Sequence, residues 1–144
     1  MKYEITDIAH PVYKNLHRIR ALTDVGTDVK AGDLGGYVES AYNLSQNGTC
    51  WVYDDAMMRD HPLMFDDSQM HDNSMMFDDS QMYDNSTMHG YSTMHGYSVM
   101  RDYSVMRDNS MMHGYSTMRD DSRMLGNSMM FNNSMMRDNT ECEE

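Results

Sequence analysis

The chain has 144 residues, 20 of them Met, and its 23 acidic against 11 basic side chains leave a net charge of −12. That length holds one domain, or a small module plus a repeat array, and the acidity argues against a protein that tracks nucleic-acid phosphates, which needs a basic footprint. No run reaches the ~18 apolar residues of a membrane span, the opening MKYEITD lacks the order of a signal peptide, and two Cys, Cys50 and Cys142, are too few for a disulfide scaffold, so a cytoplasmic setting is expected.

The first fifty residues carry five basic and six acidic side chains and no regular period. Residues 2–6 and 12–22 have mixed strand-like patterning, with Asn15 near a hairpin turn. A Gly-rich run, Gly32-Asp33-Leu34-Gly35-Gly36, then precedes Tyr37-Val38-Glu39-Ser40. Residues 1–36 are expected to form a small β-rich cap, and 37–144 a repeat domain. Val38 and Leu44 are six apart and Val52 is eight further on, which predicts a two-residue bulge or loop at 46–49. A cap is physically needed, because an uncovered end coil is a row of unpaired backbone groups.

From Met58 to Met136 a Met recurs at every sixth position, fourteen in all, with Val52 one step before and Cys142 one step after. Two residues before each Met stands a small residue, which is Ser throughout from Ser68 to Ser134. Six residues advance an α-helix by about 600°, which scatters the Met around it and excludes a helix. A short strand plus a turn fits. Ser and Met are two apart and share one face of a strand, here the inward one, while Asp, Asn and Gly supply residues that tolerate a left-handed corner. The expected fold class is all-β, a β-solenoid of about five to six coils.

The Ser-x-Met-x-[Asp/Gly]-[Asn/Asp/Tyr] unit resembles the hexapeptide-repeat, left-handed parallel β-helix family, in which one hexad forms one side of a triangular coil. The resemblance implies three hexads per coil, so residues eighteen apart stack at roughly 4.8 Å. The family's usual inward aliphatic residue is replaced here by Met. Residues 18–22 (RIRAL) and 31–40 (AGDLGGYVES), with Asn43-Leu44-Ser45 and residues 50–54 (CWVYD), are also similar to bacteriophage and prophage proteins of unassigned function that join such a leader to hexapeptide repeats. That likeness implies a fold and a phage origin in a bacterial host, not a chemistry.

Under the eighteen-residue register one outward face collects Met57, Met75, Met111 and Met129 in a single column, with Phe77 and Phe131 in the next. A recurring apolar ladder marks a contact surface, and this face is the leading candidate site. The expected partner is a second copy packed laterally, with a host protein or small molecule as the alternative. Growth through the open C-terminal coil is opposed by Glu141, Glu143 and Glu144.

Other constellations read as structural. Thioethers suit Cu(I), yet Met also fills irregular apolar cores, which is the expected role of the inward column. His71 stacks on His89 and His95 on His113, a weak metal candidate without a matched carboxylate or Cys. The column Asp66, Asp84, Asp102, Asp120 and Asp138 could hold a calcium ladder or be solvated turn residues, and Arg101, Arg119 and Arg137 run beside it. Cys50 and Cys142 are about five coils apart, roughly 25 Å, and cannot bond within one subunit. Many solenoids of the family are acyltransferases that use a catalytic His and an external loop. Here the hexads run without insertion, so no catalytic residue and no cofactor is expected. Three function classes follow: a non-enzymatic structural or interaction protein, a small-ligand or metal-sequestering protein, and, least favoured, an acyltransferase.

Overall fold

A computed structural model describes residues 1–143; Glu144 lies outside the described residues. Among the described residues there are strands and turns and no helix, hence none long and apolar enough to cross a membrane. Three longer strands come first: β1 (Tyr3–Ala9), β2 (His17–Ala21) and β3 (Leu34–Val38). β1 and β2 pair antiparallel, as do β2 and β3, and β3 then pairs in parallel with Met57–Met58. The leader is thereby continuous with one face of the repeat. β2 begins at His17 rather than near Val12 because residues 10–16 form a closed connection. The His10 N–H donates to the Leu16 carbonyl (2.8 Å), and His10 Nδ1 accepts from the N–H groups of Val12 and Tyr13, both at 3.1 Å.

From Trp51 onward the strands shrink to two or three residues, each built around one inward Met or its equivalent. They stack into three parallel sheets, one per side of the coil. Register is the eighteen-residue one throughout: Met58 pairs with Met76, Met76 with Met94, Met94 with Met112 and Met112 with Met130. The side that starts with β3 has six coil rungs. Val38, Leu44 and Val52 fill the inward positions of the first coil at 0% exposure. The expected bulge lies between Leu44 and Val52, where Gly48 at φ +70° sits against the Asp66 backbone.

The core is a column of thioethers. Every inward Met from Met58 to Met124 is fully buried, and the small residue two positions earlier, Ala56, Pro62 or from Ser68 onward Ser, is buried with it. At the leader end, Tyr3 closes the column by packing edge-on against Trp51 (centroids 6.4 Å apart) and donating its hydroxyl to the Leu44 carbonyl at 2.6 Å. Burial pushes the Tyr3 pKa up to about 12. Lys2 Nζ donates to the Cys50 carbonyl (2.9 Å) and to its Sγ (3.3 Å), tying the chain start to the first coil. Cys50 and Cys142 are free, and both pack into the core.

The corners explain why Asp is so frequent. Every sixth residue from Asp54 to Asp138 has φ between +54° and +72°, eleven of them Asp or Asn and four of them Gly. Short polar side chains and Gly are the residues that enter this region at low cost. The Asp side chains do a second job. The Asp84 N–H donates to Asp66 Oδ2 (3.0 Å), Asp102 N–H to Asp84 Oδ2 (3.0 Å), Asp120 N–H to Asp102 Oδ2 (2.9 Å) and Asp138 N–H to Asp120 Oδ2 (2.8 Å). The stacked carboxylates therefore answer donors of the next coil, which offsets their mutual repulsion. Arg119 Nε adds a contact to Asp120 Oδ2 at 3.9 Å.

Asp and Gly corners differ in one more respect. After Asp or Asn corners such as Asp66, Asp102 and Asp120, the inward Ser hydroxyl donates to the carbonyl three residues back at 2.8 Å. After Gly90, Gly96, Gly114 and Gly126, where φ is 64–66°, Ser92, Ser98, Ser116 and Ser128 have no such partner.

Candidate interaction face

The predicted site residues do share one face. Met57, Met75, Thr93, Met111 and Met129 are consecutive partners in a single parallel ladder, with Phe77, His95, His113 and Phe131 beside them two residues on. Their surroundings are graded from one end to the other. Met57 is only 8% exposed and sits with Leu16 and Tyr37 in a second apolar cluster, against which Tyr13 and Met75 pack. Met75 and Met111 are half-buried, and Met129 and Phe131 are exposed at 46% and 50%. The leader thus already covers the first rung of the Met column and reaches the second, where Met75 packs against the same cluster. Met57 is a docking residue for the chain's own leader rather than part of a free surface, because residues 10–16 fold back over it.

The neighbouring column is a continuous stack. The Arg59 guanidinium lies over the rings of Tyr13 (4.4 Å) and Phe77 (5.6 Å). Phe77 stacks on His95 (4.8 Å), His95 on His113 (4.7 Å) and His113 on Phe131 (5.6 Å), with ring planes within 9° of parallel. A second stack on another side joins Tyr53, His71 and His89 at 4.4 and 4.8 Å. His71 Nε2 also contacts Gln69 Oε1 at 2.9 Å. Face-to-face stacking sets the in-plane nitrogen lone pairs of neighbouring imidazoles side by side instead of converging on one point. In this arrangement neither pair chelates a single ion at the ~2.0–2.1 Å a metal–imidazole bond requires. Among the described residues, no three His, Cys, Asp or Glu side chains gather at metal-ligand spacing.

Burial lowers the pKa of His71, His89 and His95 below the ordinary 6.5. The neighbouring imidazoles His89 and His113 push His71 and His95 further down, while Asp72 and Asp78 pull in the other direction. Between those lowered values and 6.5 the unfolded chain binds more protons than the native one, so stability rises with pH across that window. It is complete above 6.5 and is lost as pH falls toward the lowered values. We expect the melting temperature to drop as pH falls from about 7 to about 5, and the drop to shrink in a His71→Gln/His95→Gln variant. Circular dichroism melts at matched ionic strength give the comparison; equal slopes in both proteins reject the stacks as its source.

A groove of about 570 Å³ runs where the leader meets this face, lined by His10, Arg18, Tyr37, Asp55, Met75 and Tyr91 among others. The Arg18–Asp55 ion pair (2.7 Å) forms part of its wall, and the Arg18 guanidinium lies 4.4 Å from the Tyr37 ring centroid. Tyr13, Leu16 and Arg18 escaped the sequence reading, since nothing in the irregular leader has the period that sorts the repeats into faces. No protein-family model matches the chain, and no characterised protein matches it in sequence.

Proposed function

We propose that the protein is a non-enzymatic structural or interaction module, a rod that self-associates through the distal half of its Met/Phe face, with another protein partner as the alternative occupant. One observation carries this reading: the first rung of the same column, at Met57, is already covered by apolar side chains of the leader, whereas Met129 and Phe131 stand exposed. An apolar column that is covered at one end and exposed at the other is a contact surface with part of its cover still to come. The unbroken corner register from Asp54 to Asp138 supports the non-enzymatic part, since no insertion among those residues shapes an acceptor pocket. The leader motif at 31–40 and the six-residue unit support placing the chain among left-handed hexapeptide-repeat solenoids of phage origin, acting in the bacterial cytoplasm. The groove beside Tyr37 and Met75 favours small-ligand binding as the second reading.

Sedimentation velocity across a concentration series tests the first reading. Wild-type protein is expected above monomer mass, and a Met129→Asp/Phe131→Asp variant at monomer mass with an unchanged melting temperature. Indistinguishable sedimentation of the two proteins rejects the face as an association surface.

A further inference from the structure

Charge sets apart one panel of this face. Segments 91–97, 109–115 and 127–133 lie directly above one another in the ladder. None contains an Asp, Glu, Lys or Arg, in a chain where such residues make up 24%. The two rungs nearest the leader are different: Asp55, Arg59 and Asp60 flank Met57, and Asp78 and Asp79 follow Phe77. The other two sides carry Arg101, Arg107, Arg119 and Arg123 at the same levels as the panel, with Asp corners next to them. Two copies that each bear −12 repel over most of their surface. Over the uncharged panel they approach without burying an unpaired charge.

The leader fixes the direction of approach. It covers Met57 on the same face and reaches the next rung, where Met75 packs against the same cluster. Side-by-side copies running the same way would bring leader against leader. Reversing one copy places the leaders at opposite ends and panel on panel. The column itself is complementary under that reversal. It reads Thr93, Met111, Met129, with Thr93 only 6% exposed and Met129 46% exposed. A two-fold axis parallel to the strands at Met111 sets Met111 against its mate, and each projecting Met129 over the low Thr93 of the other copy. In the next column the same operation sets Phe131 over His95 and His113 over its mate. This is the self-matching patch that a closed two-fold contact needs.

We infer that the protein forms an antiparallel two-fold dimer through this panel, with its axis at Met111; the inference rests on the reading of the face as a contact surface. Pyrene-maleimide attached at Asn109→Cys, and separately at Asn73→Cys, in a Cys142→Ser background tests it. Cys50 is fully buried, and Asn109 and Asn73 are exposed on the same flank, at the level of Met111 and two coils below it. Packed sheets lie about 10 Å apart, so Asn109 labels meet across the axis, whereas Asn73 labels are about 19 Å further apart along the rod. Excimer emission is expected from Asn109→Cys and its loss from Asn73→Cys. Equal excimer from both sites, or none from either, in protein that sediments as a dimer overturns the two-fold arrangement and leaves the contact face standing. Wild-type protein that stays monomeric removes both.

Discussion

Met94→Ala is expected to lower the unfolding free energy by about 2–5 kcal/mol, and Met94→Leu by less than about 1.5 kcal/mol. Met94 is fully buried in the middle of the column, paired in register with Met76 below and Met112 above. Truncation to Ala removes apolar volume from a position that backbone on three sides holds fixed, so the coil cannot collapse to fill it. Leu keeps nearly the same volume. Urea unfolding midpoints of the three proteins measure the ranking, and the midpoint is the safer quantity because a stack of coils need not unfold in one step. If Leu proves as damaging as Ala, apolar packing is not what selects Met at the inward position, and a role for the sulfur column itself returns.

Gly36→Ala is expected to cost several kcal/mol, beyond the ~1–3 kcal/mol typical of overpacking, because the new atom meets backbone as well as side chain. A Cβ there would overlap the Ala56 carbonyl oxygen and lie 2.6 Å from Val52 Cγ1, and both neighbours are fully buried in the first coil. Gly35 is nearly as confined, with Ile19 Cγ1 and the Val52 carbonyl oxygen each 2.7 Å from its Cβ position. These two glycines let β3 lie close against the first coil while it pairs with β2. Once the leader is pushed away, Met57 and Tyr37 lose their cover. The readouts are faster proteolysis within residues 1–36 and greater binding of a hydrophobic dye. A variant whose leader resists protease as wild type does would show that β3 has room to shift.

Much of the repeat was legible because one short period fixes everything that depends on it. The six-residue spacing of Met58 to Met136 settles which residues point inward, and the eighteen-residue register places Met57, Met75, Met111 and Met129 in one column, as the ladder pairs them. That the leader also lies over part of the Met face was not legible. The cover on Met57 comes from Tyr13 and Leu16, more than forty residues away in sequence, in a connection with no period at all. The corner carboxylates were harder still. Asp in a turn is expected from backbone conformation alone; that its Oδ2 accepts from an N–H eighteen residues later depends on the pitch of the coil, which no local pattern contains. The exposure gradient along the face was also invisible, since identical units differ only through what happens to lie over them.

The corner ladder has a consequence for how such a chain can change its length. Because each carboxylate meets the N–H eighteen residues on, adding or deleting a whole coil reproduces every contact on either side of the splice. An insertion of six residues also keeps the inward Met and the turns, yet it carries every later residue round to the next side of the triangle. Met111, Met129 and Phe131 would then leave the side on which the leader rests. Lengths that differ by six are equivalent for folding; only lengths that differ by eighteen are equivalent for recognition.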